Sequence, residues 1–293
     1  MMSVSKRILY IDYIAPIGHV AINNYIIKDA NKNYDNVHLI SKSLYLSKIN
    51  IKCKKIVFFQ IPFNSFITNY LNLAISLVQI IFLQFKYDKL IFLSFENRFF
   101  PVFSYFFYKN TCVFVHNNLD LKVYKKLNLF SLIKPKTIFY VFENFISNFI
   151  KNKYGFSNFK TINHPIITDF LSQSIKKKDL VFAPGSSNEY DILSEEKIIR
   201  FLDKNNLKLI TKTPFVNFKS ENITNEIYFK DINSFYYSSK WVLINCNYSY
   251  RVSGIFYEAI GADCNILFCN ESLFLHEMQK KYPNKVHHIN SLI

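Results

Sequence analysis

The stretch that decides the fold is Trp241-Val242-Leu243-Ile244-Asn245, then Tyr250-Arg251-Val252-Ser253-Gly254-Ile255-Phe256-Tyr257-Glu258-Ala259-Ile260, then Asn265-Ile266-Leu267-Phe268. An apolar run, a short polar loop, an apolar helical pattern and a second apolar run read as strand, loop, helix, strand. The loop places Ser253 and Gly254 at the start of the helix. Unpaired amide N–H groups and the positive end of the helix dipole belong there. Arg251 adds a planar, permanently charged fork that suits phosphate. One turn on, Glu258 offers a carboxylate of the kind that holds a ribose diol. Phosphate donors at a helix start, with an acid a turn later, predict a site for a sugar nucleotide.

The same alternation extends through the chain. In the first half, strands are expected at Arg7–Ile14, Val37–Ile40, Lys55–Gln60, Lys89–Ser94, Cys112–His116 and Thr137–Phe142. Helices are expected at His19–Ala30, Phe66–Phe85, Pro101–Tyr108, Leu121–Leu129 and Glu143–Tyr154. From Gly155 to Lys178 the pattern lapses, and this segment reads as the connection between domains. A second series follows, with strands at Leu180–Ala183, Leu207–Thr211, Glu226–Phe229, Lys240–Asn245 and Asn265–Phe268. Its helices are expected at Ser194–Lys204, Asp231–Ser238, Ser253–Ala262 and Glu271–Lys281, and acids in the first turn of Ser194–Lys204 suit a helix start. The fold class is α/β: two doubly wound Rossmann-like domains, 1–165 and 166–293, facing across a cleft.

Composition narrows the function classes. The 293-residue chain has a formal net charge of +15. Only four of its 36 basic residues are arginines: Arg7, Arg98, Arg200 and Arg251. The lysines sit in a chain crowded with Asn, Ile, Phe and Tyr, as AT-rich coding sequence produces. No recognition motif or arginine stripe is present, so specific nucleic-acid binding is not expected. A basic face on an anionic membrane surface fits better. The five cysteines, at 53, 112, 246, 264 and 269, lack metal-type spacing and read as reduced thiols of a cytoplasmic protein. Ile8–Ile14 reads as a first strand, broken by Asp12, not as the core of a signal peptide. Phe66–Phe85 has the length of a membrane span, but Thr68, Asn69, Asn72, Ser76, Gln79 and Gln84 interrupt it. A buried or interfacial helix is the expectation. The aromatic run Phe99–Tyr108 reads as helix core, with a face toward lipid as the alternative.

The residues from Tyr250 to Phe268 resemble the donor-site block of GT-B glycosyltransferases, especially the bacterial enzymes of surface-polysaccharide synthesis. Phe229-Lys230-Asp231 through Tyr236-Tyr237 is similar to the preceding block of that class. Ala15-Pro16-Ile17-Gly18-His19-Val20 and Val115-His116-Asn117-Asn118 look like its cleft-facing loops. The resemblance implies a nucleotide sugar donor, a glycan or polyprenyl-diphosphate-linked acceptor, no cofactor and no obligatory metal. It implies that Glu258 binds ribose hydroxyls and that Ser253, Gly254 and Gly185 meet the diphosphate. Arg251 or Lys212 would neutralise charge, and Phe229 and Lys230 would flank the base. His19 and His116 are the candidate catalytic groups. Retaining members carry a second Glu eight positions before the one matching Glu258, and here Tyr250 stands there, so retention and inversion both remain open. A sugar-nucleotide epimerase and a partner subunit without turnover are the rival readings.

Overall fold

The computed structural model describes residues 7–15, 19–32, 34, 36–62, 65–96, 98–115, 133–155, 158–166, 176–185 and 190–293. His116, the expected helix Leu121–Leu129 and Pro16 to Gly18 of the loop before His19 lie outside the described residues. The chain divides into two compact units, Met1–Pro165 and Ile166–Ile293.

The first unit runs β1 (Arg7–Asp12), α1 (Val20–Ala30), β2 (Asn36–Ser41), α2 (Ser43–Lys48), β3 (Lys54–Val57), α3 (Phe66–Leu83), β4 (Lys89–Phe92), α4 (Phe100–Phe103), β5 (Asn110–Phe114), β6 (Ile138–Val141), α5 (Asn144–Tyr154) and β7 (Phe159–Thr161). A 3-10 turn extends α3 through Lys86, and another extends α4 through Phe106. The strands form one sheet in the order β3-β2-β1-β4-β5-β6-β7, with every pairing parallel. Parallel strands are covered on both faces, which is why Ile8–Ile11 and Leu90–Phe92 are continuously apolar and buried. Phe92 anchors the aromatic core, with ring centroids 4.9 Å from Phe100, 5.2 Å from Phe107 and 6.0 Å from Tyr13.

The second unit runs β8 (Lys178–Ala183), α6 (Ile192–Asn205), β9 (Lys208–Thr211), β10 (Ile223–Asn225), α7 (Ile232–Ser238), β11 (Ser239–Leu243), α8 (Gly254–Gly261), β12 (Asn265–Phe268), α9 (Leu273–Lys281) and β13 (Val286–His288). Its sheet is also parallel, in the order β10-β9-β8-β11-β12-β13. Strand order reverses direction at β1/β4 in one sheet and β8/β11 in the other. Ligands of doubly wound sheets bind beyond the carboxyl ends of the strands at such points.

Four expectations are corrected. Glu226–Phe229 is not a strand. The edge strand ends at Asn225; after the Glu226 N–H bonds the Thr211 carbonyl at 2.9 Å, the chain leaves the sheet with Ile227 and Tyr228 exposed. The segment 155–178 contains β7 and the first residue of β8, and Lys177 is not a linker charge. Its Nζ donates to the carbonyls of Ala262 at 2.7 Å and Tyr236 at 3.0 Å. Helix α6 starts at Ile192 rather than Ser194, capped by Asp191, which accepts from the Ser194 N–H at 2.7 Å. The aromatic run 99–108 splits: Phe100 and Phe107 are core, whereas Val102, Tyr105, Phe106 and Tyr108 are exposed.

Candidate functional site

In the second unit, a cavity of about 470 Å³ opens at the carboxyl ends of the central strands. It is lined by Gly185 after β8, by Lys212, Thr213 and Pro214 after β9, by Ile244, Cys246 and Tyr248 after β11, and by Ser253 and Ile255 at the start of α8. Of the residues singled out in the sequence, the cavity gathers Gly185, Lys212 and Ser253. Gly185 has φ +141, a conformation that only glycine adopts without strain, and a Cβ there would meet Lys212 Cδ at 3.4 Å. The bare backbone leaves room for the lysine stem beside it.

The α8 start offers donors without a side-chain competitor. Ser253 occupies the N-cap, is buried, and its hydroxyl makes no capping hydrogen bond. The Phe256 N–H closes onto the Ser253 carbonyl at 3.2 Å, and the amides of Gly254 and Ile255 precede it in the first turn, where α-helical partners are lacking. Open space surrounds the position where a Gly254 Cβ would stand, so the backbone there is accessible. Arg251 is not among the lining residues; it stacks on one of them, its guanidinium carbon 3.6 Å from the centroid of the Tyr248 ring. The Tyr248 loop is held from beneath. Its carbonyl accepts from the Phe274 N–H and the Ser272 hydroxyl, both at 3.0 Å, at the start of α9. The loop 213–218 is fixed by Glu195, which is fully buried. Its carboxylate accepts from the N–H groups of Val216 at 2.7 Å, Asn217 at 2.8 Å and Phe218 at 3.1 Å.

Glu258 lies one helical turn beyond Gly254 and Ile255, on the same side of α8. Burial pushes its carboxyl above the ordinary carboxylate range, and the Tyr236 hydroxyl only partly offsets this. Tyr236 is itself raised well above a normal phenol, by burial first and the nearby Glu258 charge second. Phe182 connects this pair to Phe229, its ring centroid standing 5.2 Å from Tyr236 and 5.1 Å from Phe229. Phe229 also meets Phe235 at 5.2 Å and is half-buried, whereas Lys230 is exposed.

In the first unit, a buried carboxylate sets the loop that precedes α1. Asp12, at the end of β1, accepts from the Ser94 hydroxyl at 2.7 Å, the Ala15 N–H at 2.8 Å and the Asn23 amide at 2.9 Å. Desolvation raises its pKa, and the Ser94 and Ala15 donors oppose the rise. Ala15 takes a left-handed conformation, φ 56, so the chain turns sharply after β1. His19 stands at the N-cap of α1, half-buried. Sequence reasoning missed its neighbour, His164, which is close enough to interact with it electrostatically. Burial holds His164 down at about 4, the Pro165 carbonyl opposes this, and His19 adds to it. The His164 Nδ1 lies 2.9 Å from that carbonyl, which only accepts, so Nδ1 carries the proton of the neutral ring. Glu96, a candidate acid for the epimerase reading, is committed elsewhere: its oxygens accept from Arg98 and Phe99 N–H groups at 2.8 Å each. Tyr248, Thr213 and Pro214 were also missed, since their place in the cavity comes from loops that the strand ends bring together.

No family model matches the chain, and no curated protein matches it in sequence. Its structure is similar to known ones over nearly its whole length. Arabidopsis thaliana UGT89C1 complexed with UDP-L-rhamnose superposes with a TM-score of 0.61 at 11% identity, covering 98% of this chain and 87% of that one. Anabaena Alr3699/HepE in complex with UDP gives 0.60 at 11% identity, covering 97% and 93%. A Listeria monocytogenes protein described as a UDP-N-acetylglucosamine 2-epimerase gives 0.58 at 10% identity, covering 94% and 82%. These likenesses identify the fold of the chain as GT-B.

Proposed function

We propose that this GT-B protein transfers a sugar from a nucleotide diphosphate sugar to a glycan or lipid-linked oligosaccharide. The observation that supports it best is the cavity at the carboxyl ends of the second sheet, which gathers Lys212, the α8 start and Tyr248, with Arg251 stacked on the Tyr248 ring. In this reading the α8 amides and Lys212 hold the diphosphate, and Arg251 neutralises the charge that grows as it leaves. Electrostatic stabilisation of the leaving group supplies much of the rate in such a site. Glu258 receives the ribose diol, and Phe229 and Lys230 border the base. Should the reaction invert, His19 takes the proton of the acceptor hydroxyl, for which an imidazole is suited near neutral pH. His116 is the second candidate. No resident cofactor or metal enters this scheme. A polyprenyl-diphosphate carrier, a part in surface-polysaccharide synthesis and a place at the cytoplasmic face of a bacterial membrane complete the proposal.

The test is thermal stabilisation by UDP, GDP, CMP and ADP, with Glu258→Ala as control. UDP heads the panel because the Arabidopsis and Anabaena structures hold UDP or a UDP-sugar. A ligand at about 100 times its Kd stabilises the native state by about 2.7 kcal/mol. The expected result is one nucleotide that raises Tm for wild type and fails with Glu258→Ala. No response to any nucleotide refutes the donor site. The likeness to the Listeria protein keeps an epimerase as the second reading. Conversion of a UDP-sugar without any acceptor present would select it.

A further inference from the structure

Helix α3 is built inside out. The side chains it turns toward its own unit are largely polar: Thr68, Asn72 and Ser76 are buried, with Leu77 and Ile80 completing that face. Gln84 is buried in the turn that follows. These polar groups are satisfied. The Asn72 side chain accepts from the Ile61 N–H at 2.8 Å and donates to the Ile61 carbonyl at 3.1 Å. Gln79 makes the same pair of bonds with Phe59, at 2.9 and 3.0 Å. Gln84 donates to the Phe106 carbonyl at 2.9 Å and accepts from the Tyr108 N–H at 2.8 Å. The opposite face is apolar and exposed: Ile67 at 71% and Phe82 at 73%, with Leu71, Val78 and Phe85 beside them, and Phe66 at the first position of the helix is 75% exposed. Only 28% of the helix from Phe66 to Lys86 is buried, although its length and composition would cross a membrane. A surface helix in water has the reverse arrangement.

The face does not end with α3. Phe85 stacks on Tyr108, with ring centroids 6.3 Å apart, and Tyr70 lies 6.1 Å from Phe99. Val102, Tyr105, Phe106 and Tyr108 of the α4 region are exposed as well, and so is Phe59 after β3. Patches this continuous mark a surface that meets something apolar.

We infer that this face is a docking surface for an anionic lipid bilayer, with α3 lying in the plane of the interface. Three observations select a bilayer. The 18 residues of α3 carry no charge, yet cations mark both ends. Exposed Arg98 sits over Tyr70 at 5.0 Å; at the other end the Lys134 ammonium, bonded to the Phe107 carbonyl, sits 5.7 Å from the Tyr108 ring, and Lys86 and Lys109 follow Phe85 and Tyr108 in the chain. An 18-residue helix is roughly 27 Å long, so for a helix lying in the plane the cations at both ends of the apolar stripe meet the same layer of headgroups. At the two ends tyrosines stand beside the phenylalanines, Tyr70 by Phe66 and Tyr108 by Phe85, and tyrosine rings suit the boundary between headgroup and acyl chain. Finally, the net charge of +15 favours an anionic surface and opposes a second copy of the same chain. A spanning α3 is excluded, because withdrawing it from the unit would strand Asn72, Gln79 and Gln84 in hydrocarbon.

The inference deepens the membrane side of the proposed function but does not rest on sugar transfer. Its test uses the full chain without nucleotide, so the two fail separately. Flotation with vesicles of phosphatidylcholine containing about a third phosphatidylglycerol should recover wild type, and added salt should weaken recovery. Phe66→Glu with Phe82→Glu should lower the partition coefficient about tenfold or more. Both positions are exposed, so Tm should hold. Ile227→Glu, at a 92% exposed apolar position in the other unit, should leave partition unchanged. A Phe82→Trp variant should show a blue-shifted emission with vesicles that brominated lipid quenches. Three results overturn the proposal: no binding to these vesicles, equal binding by the double glutamate variant, or a homodimer in sedimentation that the double variant abolishes while vesicle binding is absent.

Discussion

Two kinds of buried carboxylate occupy this molecule, and they teach opposite lessons. Asp12 in the first unit and Glu195 in the second have their lone pairs met on all sides. Each accepts three hydrogen bonds at 2.7–3.1 Å from groups of the loops it supports. Glu258 is also withdrawn from water, but among the described residues its neighbour is one buried phenol, Tyr236. A carboxylate met by three donors of its own fold is scaffold. A half-buried carboxylate beside one phenol, a turn from the helix start, suits the ribose-binding role proposed for Glu258.

The largest effect is expected where the scaffold is cut. Glu195→Ala removes one acceptor and leaves three N–H groups of the 216–218 segment unmatched. Charge-assisted bonds of this kind each contribute about 1.5–3 kcal/mol, so the expected loss is about 3–5 kcal/mol in urea unfolding. The 213–218 loop borders the cavity, so nucleotide affinity should fall with stability. A loss below about 1 kcal/mol would erase the distinction drawn between Glu195 and Glu258.

A third buried ionisable group, His164, extends the comparison because it is carried neutral. Its folded pKa is about 4, below the ordinary histidine value. The unfolded chain therefore takes up a proton between about pH 6.5 and 4 that the folded chain refuses, and stability rises with pH across that window. The contribution is full above pH 6.5 and falls away toward pH 4, by about 3 kcal/mol at most. His38 and His288 are lowered too, so they add slope of the same sign. Unfolding curves between pH 7.5 and 4.5 for wild type and His164→Asn isolate the His164 share. Parallel pH dependence in the two proteins would show that the ring is not held neutral.

Much of this was legible in the chain, and the illegible parts share a cause. Asn265–Phe268 reads as a strand to the residue, and the Tyr250–Ile260 pattern gives loop and helix correctly, because local periodicity specifies both. Strands Phe159–Thr161 and Val286–His288 escape because three residues carry no period; pairing with β6 and β12 makes them strands. Glu195 announces a helix start, but nothing nearby in sequence says that a loop folds over it. Tyr248 enters the cavity because Ser272 and Phe274 pin its carbonyl from a different helix. Helix α3 reads as buried or interfacial from composition. Which of its faces points outward is set by Ile61, Phe59 and Tyr108, partners that periodicity cannot supply.

The smallest effect tests the comparison most sharply, because stability and function should move in opposite directions. A carboxyl whose folded pKa lies above its unfolded value favours folding while protonated, and that contribution is lost as pH rises through the folded pKa. At pH 8, Glu258 is therefore a liability in the free protein. Glu258→Gln keeps the shape and removes the charge. The variant should melt higher than wild type at pH 8 by a few degrees, about 1 kcal/mol, and the gap should close toward pH 4. The same change replaces charge-assisted bonds to a ribose diol with neutral ones, so nucleotide affinity should fall by about tenfold. At Asp12 or Glu195 the corresponding amide would lower stability, because it turns an NH2 group toward donors that now meet carboxylate oxygens. If Glu258→Gln also destabilises the free protein, Glu258 is scaffold like the other two, and the ribose contact must be sought elsewhere on α8.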